Sequence, residues 1–527
     1  MDEASAILRY HERSKHHLRR YAPGPGYLDW ANQPDPFRTY SGAPRVVLPL
    51  AADRLDTRFA EVRAGRPPAA APATRESIGM LLEMSVAVSA WKSFGGASWA
   101  LRCNPSSGNL HPTESYLVTS GLPGLGGGVY HYVSRDHALE QRACWDGLAL
   151  TARGAIVGLT SIYWREAWKY GMRAFRYCQH DCGHAIAAVS YAAAALGWQT
   201  RMLDTVGDDG VAALLGLDRD ADYQVAERER PECLLWVGPD EPPAIDALVA
   251  AARAAHWAGA ANRLSTAHVE WPDIDLAHAA TRKPQTTRSD ARPGVAFDLA
   301  APKLDLAAST LFRQRRSAVD FDAVTSIPAD AFYTMLDPLL PRAGVPPWNA
   351  WPWAPRVHLG LFVHRVEGLE PGLYAFLRVE SARGALRQAL SPEWLWREAG
   401  PAHLPLYLLL PHDTRDTARV VCCHQDIAAD SCFALGMLSD FAGIEESPWR
   451  YRNLYWECGL VGQTLYLEAE AAGIRATGIG CFFDDEMHRV LGLEGHAWQS
   501  LYHFTAGGAV DDPRLTTLPA YGPRGPE

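Results

Sequence analysis

The chain has 527 residues, of which 48% are hydrophobic and 21% charged, with a formal net charge of -10. That length exceeds one ordinary core, given domains of about 150 residues, and the composition is globular, neither disordered nor fibrous. No basic surplus exists to neutralise nucleic-acid phosphates or an anionic membrane surface.

The N-terminal stretch MDEASAILRYHERSKHHLRR has no apolar signal core, and no uncharged apolar run reaches the length of a bilayer span, so a cytoplasmic protein is expected. Ten cysteines without a dense regular framework read as reduced thiols. VRAGRPPAAAPATRES, 62–77, reads as a surface excursion leading into a helix over SIGMLLEMSVAVSAWKSF, 77–94. Next comes RCNPSSGNLHPTESYLV, 102–118, in which Pro105, Ser106, Ser107, Gly108, Asn109 and Pro112 forbid regular structure and present donors suited to an anion or a flat heteroaromatic ring. SYLVTSGLPGLGGGVYHYV, 115–133, reads as strand, glycine turn, strand. Its glycines open no helix and are not a dinucleotide loop.

Gly183 precedes a helical run ending at Gly197, and LLGLD places Gly216 farther on; Gly459, Gly473 and Gly492 fall at the same two spacings. Asp208-Asp209 and Asp484-Asp485, Arg176 and Arg452, and Cys182 and Cys458 coincide as well. VHLGLFVHRVEGLEPGLYAFL, 357–377, matches the earlier strand pair, and IRATGIGCFF, 474–483, is the strand after the second long helix. The expected fold is therefore α+β: two tandem copies of one domain, each a mixed sheet flanked by helices, closing as an intramolecular pseudo-dimer. The division predicted is 1–255, a linker over 256–297, and 298–527.

The copies differ where chemistry is concentrated. PPWNAWPWAPRVHLGLFV, 346–363, has no Ser-Ser-Gly-Asn, while FRQRRSAVDFD, 312–322, has only the weaker RSKHHLRRY, 13–21, as a first-half counterpart. At these residues the chain resembles the FMN-dependent nitroreductase superfamily, specifically the SagB/ThcOx-type dehydrogenases, over most of its length. The resemblance implies that Arg315, Arg316 and Ser317 hold a flavin phosphate and that Gly478, Ile479 and Gly480 lie against the isoalloxazine. Pro105, Ser106, Ser107 and Asn109 would close the site from the first copy, and Arg514 would be a late phosphate contact. Val319 stands where relatives often have a further arginine. Lys169-Tyr170 matches the pair thought to assist proton removal in azole-forming relatives. FMN is thus the cofactor implied, in one composite site with a degenerate symmetry mate.

Cys178, His180, Cys182 and His184 superficially resemble metal ligands, but the cysteines share one helix face and the histidines another, so no metal is expected. Cys422-Cys423-His424 has no partner motif and is expected in the core. The function implied is oxidation of a heterocycle or a peptide-derived bond on a small-molecule or modified-peptide substrate, with no nucleic-acid or membrane partner. A nicotinamide-dependent nitro or quinone reductase and a flavin-free binding scaffold stay open.

Overall fold

The structure is a computed structural model describing residues 2–145, 148, 152–289 and 298–522. Two seven-stranded sheets dominate it. The first runs Arg45–Val47, Ala138–Cys144, Gly128–Val133, Thr113–Thr119, Ala155–Ser161, Arg230–Gly238, Gln199–Met202. The second runs Arg397–Glu398, Leu406–Pro411, Gly372–Phe376, Val357–Val363, Phe433–Asp440, Trp498–Gly507, Arg475–Ile479. Six strands of each sheet follow the same chain order, so the halves are α+β copies of one arrangement, and only the outermost edge strand is recruited differently. Every pairing inside both sheets is antiparallel, where a mixed sheet was expected. Among the described residues, parallel pairing is confined to one two-residue ladder and single bridges such as Ser317 with Ala476.

The halves meet along two long helices, Ala174–Ala195 and Arg450–Ala472, which are buried nearly all round although they carry Arg176, Asp181, Arg452 and Glu457. Glycine is required where they cross. A Cβ on Gly183 would lie 2.2 Å from the Trp456 carbonyl oxygen, and one on Gly459 would lie 2.4 Å from that of His180. Two buried ion pairs repeat across the same axis: Arg176 to Asp484 at 2.6 Å and Arg452 to Asp208 at 2.8 Å. Each arginine thus reaches the aspartate of the other copy, which accounts for the coincidence of these four positions in the repeat. Reciprocal backbone bonds, Phe59 N–H to Leu306 O at 2.9 Å and Ala308 N–H to Thr57 O at 2.8 Å, register the copies again.

That register corrects one expectation. The first-half counterpart of the Arg315-Arg316-Ser317 segment is Arg66-Pro67-Pro68, not residues 13–21. Residues 13–21 instead leave the N-terminal helix Glu3–Arg13 and run beside Phe483, with a parallel bridge at His16. The ends are exchanged between halves: His11 Nε2 meets Gln499 Oε1 at 2.9 Å, and Thr516–Leu518 pairs with Trp91–Ser93. Residues 256–289, expected as linker, carry Ala260–Ala261, paired with Tyr40–Ser41, and a helix Pro272–Ala280; 290–297 lie outside the described residues.

The expected helix over 77–94 also divides. A helix spans Arg75–Ser85, capped by the Thr74 hydroxyl, and then Val88–Phe94 and Ala97–Arg102 form a hairpin. Its turn, Gly95-Gly96, has φ of 58° and 86°, the double positive pair that a tight antiparallel hairpin needs. Among the described residues no helix is long and apolar enough to cross a membrane.

Candidate functional site

The hairpin strand Ala97–Arg102 delivers the 105–109 loop to the boundary between halves, and the second half meets it there. Arg315 ends the helix Ala308–Gln314 and is buried; its Nε donates to Cys103 O and its Nη2 to Arg102 O, both at 3.1 Å. Its guanidinium lies 4.8 Å from the centre of the Tyr466 ring, and its Nη1 is buried with no hydrogen-bond partner. Arg316 donates to Ser89 Oγ at 3.2 Å, and burial, then Arg315, lowers its pKa to about 10. Ser317 is exposed, with its hydroxyl 2.8 Å from the Tyr466 hydroxyl. The Gly478 N–H donates to that same Tyr466 oxygen at 3.0 Å, so one tyrosine joins the twin-arginine segment to the end of the second sheet.

Gly478 and Gly480 have a packing reason to be glycine. A Cβ on Gly478 would lie 1.9 Å from the Tyr502 hydroxyl, and one on Gly480 would lie 2.5 Å from the Tyr177 ring. The Gly480 carbonyl accepts from Arg173 Nη2 at 3.0 Å and from the Tyr177 hydroxyl at 3.1 Å. Ile479 is buried in the second-half core.

In the first half, the Ser106 hydroxyl accepts the His111 N–H at 2.8 Å, and the Asn109 amide donates to Ala100 O at 2.9 Å. Pro105 is buried at the base of the loop. Ser107 donates its N–H at 3.0 Å and its hydroxyl at 2.9 Å to Asp181. Gly108, at φ 57°, lies under Tyr170: a Cβ there would be 2.4 Å from the Tyr170 hydroxyl. Lys169 Nζ is 5.2 Å from the Tyr170 ring, and the Tyr170 and Tyr177 rings meet edge-on at 4.7 Å. A continuous path therefore runs from the loop through Tyr170 and Tyr177 to Gly480. Arg514 does not join it. That side chain is exposed, paired with Asp512 at 2.7 Å, and packs on Phe94, at the opposite end of its strand from the Ser89 that receives Arg316.

Two carboxyls here escaped the sequence reading. Burial raises the Asp181 pKa to about 7, and hydrogen bonds from Ser106 and Ser107 offset only part of that effect. Glu166 is fully buried with both carboxyl oxygens unpartnered; burial, then Asp181, pushes its pKa well up. A signal for Asp181 existed: Asp181-Cys182-Gly183 recurs as Glu457-Cys458-Gly459. His180 stacks on Tyr502 with centroids 4.1 Å apart and has both ring nitrogens buried without a hydrogen-bond partner, while His184 meets Gln463 and Tyr502. Cys178 and Cys182 lie in the core, and among the described residues no group of three or more His, Cys, Asp or Glu is arranged to hold a metal.

The family model for the Nitroreductase family matches residues 393–508, a segment that includes Tyr466, Gly478 to Gly480 and Tyr502. Comparison with curated protein sequences gives no match. Among solved structures, a protein from Anabaena variabilis named as a nitroreductase aligns over 96% of this chain and 99% of its own, with 21% identity and a TM-score of 0.69. That likeness establishes the fold along both halves. A Ralstonia eutropha protein also named as a nitroreductase covers 43% of this chain and 91% of its own at 16% identity, TM-score 0.28. The E. coli microcin synthetase complex covers 46% and 94% at 18% identity, TM-score 0.27.

Proposed function

We propose that this protein is an FMN-dependent oxidoreductase of the SagB type, holding one flavin between domains 1–255 and 298–527 and oxidising an azoline-like heterocycle or other peptide-derived bond. One observation carries the reading: the twin-arginine segment of the second half bonds the carbonyls that open the Ser-Ser-Gly-Asn loop of the first. The residues fit the cofactor at its phosphate end, because a buried Arg315 Nη1 without an acceptor is costly and a phosphate oxygen satisfies it.

Arg315, Arg316 and Ser317 would hold the phosphate, and Pro105, Ser106, Ser107 and Asn109 would close the site. Gly478, Ile479 and Gly480 would offer backbone to the ring, since tyrosines already fill the Cβ side of both glycines. Bound FMN supplies two-electron acceptance. Lys169 and Tyr170 handle the proton leaving the substrate. Burial, reinforced by Glu166, pushes the Tyr170 pKa well up, so its hydroxyl keeps its proton and orients by donation.

The tyrosines at Gly478 and Gly480 also favour a second reading, a flavin-free scaffold that binds a peptide or a partner. A visible absorption spectrum separates the two. Yellow protein that releases FMN on denaturation is expected, whereas protein that stays colourless after incubation with FMN selects the scaffold. Turnover of an azoline peptide without a nicotinamide donor is expected; NADPH-driven reduction of a nitroaromatic in its place moves the substrate reading to a nitro or quinone reductase.

A further inference from the structure

Cys423 was expected in the core beside Cys422. Cys422 is buried, but Cys423 is half-buried and His424 is exposed. Both Cys423 and His424 adopt positive φ, 56° and 60°, a conformation uncommon for residues with side chains. This bend turns the chain toward the segment just beyond Gly480. The two segments are stitched together: Phe483 N–H donates to Val421 O at 2.8 Å, and the Gln425 amide donates to both Cys422 O at 2.8 Å and Cys481 O at 2.9 Å. The stitching sets the half-buried Cys423 beside the half-buried Cys481, and each thiol is the other's strongest electrostatic neighbour.

The N-terminal segment covers the pair from the other side. His16 is anchored by Asp484 N–H to His16 O at 3.1 Å, and its Nδ1 accepts the Ala22 N–H at 2.9 Å. The neutral ring therefore carries its proton on Nε2, and His16 stands as an electrostatic neighbour of Cys481. Arg173, fixed on Gly480 O and Asp484, adds a positive charge. Tyr21, Tyr170, Tyr177 and Cys422 also face Cys481; their pKa values are raised and they stay neutral. These surroundings lower the Cys481 pKa to about 5, with the neighbouring Cys423 thiol the largest cause.

We infer that Cys481 and Cys423 are a peroxide-reactive dithiol, in which the Cys481 sulfur attacks a hydroperoxide and Cys423 closes an intramolecular disulfide. The Cys481 thiolate displaces alkoxide or hydroxide from the O–O bond, which leaves as alcohol or water after protonation, and becomes a sulfenic acid. The Cys423 sulfur then attacks that sulfur; the S–O bond breaks, and water leaves with the thiol proton. The peroxide gains two electrons and the two thiols lose two.

The test uses the purified full-length protein, treated with stoichiometric hydrogen peroxide, blocked with N-ethylmaleimide and mapped by peptide mass spectrometry. A Cys423–Cys481 cross-link that dithiothreitol reverses is expected. In Cys423→Ser the sulfenic acid should persist on Cys481 and be trapped by dimedone; in Cys481→Ser, Cys423 should stay reduced. Before oxidation, iodoacetamide at pH 6 should alkylate Cys481 about tenfold faster than the exposed Cys144, with the advantage shrinking in Cys423→Ser. Recovery of both residues as free thiols in the wild-type protein, or alkylation of Cys481 no faster than Cys144, overturns the inference.

Discussion

The region around Arg315 and its counterpart across the pseudo-two-fold axis started from one plan and now differ at nearly every chemical position. Where one has Arg315-Arg316-Ser317, the other has Arg66-Pro67-Pro68; Gly478 and Gly480 answer to Met202 and Asp204 at the same place after the helix stop. His180 and Asp181 answer to Trp456 and Glu457, and Tyr466 to Ser190. The second place is closed by its own substitutions. Ser190 bonds Asn349, Glu457 takes the Arg356 and Val357 N–H groups with Arg378, and Met202 N–H donates to Ala350 O. Beside it a cavity of about 150 Å³ is lined by Gly65, Pro67, Thr200 and Pro346. Cofactor pockets run to about 300–1,000 Å³. The scaffold of the interface stayed symmetric while the chemistry moved to one side.

The largest expected effects lie in the symmetric part. Arg452→Met leaves buried Asp208 without its ion-pair partner and should cost about 3–5 kcal/mol in chemical denaturation, whereas Arg176→Met leaves Asp484 its pair with Arg173 and should cost less. A smaller loss from Arg176→Met sharpens the comparison, and a loss from it larger than that of Arg452→Met breaks it. On the asymmetric side, Lys169→Ala should retain FMN and slow substrate oxidation about 100-fold in steady-state assays; unchanged turnover removes Lys169 from the reaction. Arg315→Ala should weaken FMN binding about 30-fold by fluorescence titration, while Arg66→Ala leaves it unaltered.

The smallest effect is a pH dependence. Asp181 binds its proton in the folded state up to about pH 7, whereas an unfolded aspartate releases it near pH 4. The folded state holds more protons in that window, so this group's contribution to stability falls as pH rises from about 4 to 7 and is flat above. Asp181→Asn should raise the melting temperature at pH 8 relative to the wild type by more than it does at pH 4. Equal shifts at both values remove the proton from the account.

What could be read without the structure follows from how tightly each position is constrained. Gly183 and Gly459 touch opposing backbone, and Arg176, Arg452, Asp208 and Asp484 neutralise one another while buried, so few replacements survive and the repeat stays visible. The counterpart of the twin-arginine segment was misplaced because its register rests on backbone bonds at Thr57, Phe59, Leu306 and Ala308, which leave no trace in side-chain identity. The 77–94 run looked helical because its apolar residues suit either structure, and the Gly95-Gly96 turn that settles the matter lies beyond it. Asp181 and Glu166 were passed over since a lone acidic residue on an apolar helix says nothing of burial until its neighbours are known. Cys481 gave no sign for a related reason: its partners His16, Arg173 and Cys423 come from three remote parts of the chain.

The most direct test of the central claim is the stoichiometry of FMN on the purified, monodisperse chain, from the absorbance of released flavin against protein mass. One flavin per 527-residue chain is predicted; two per chain, or none after saturation with FMN, would contradict a single composite site.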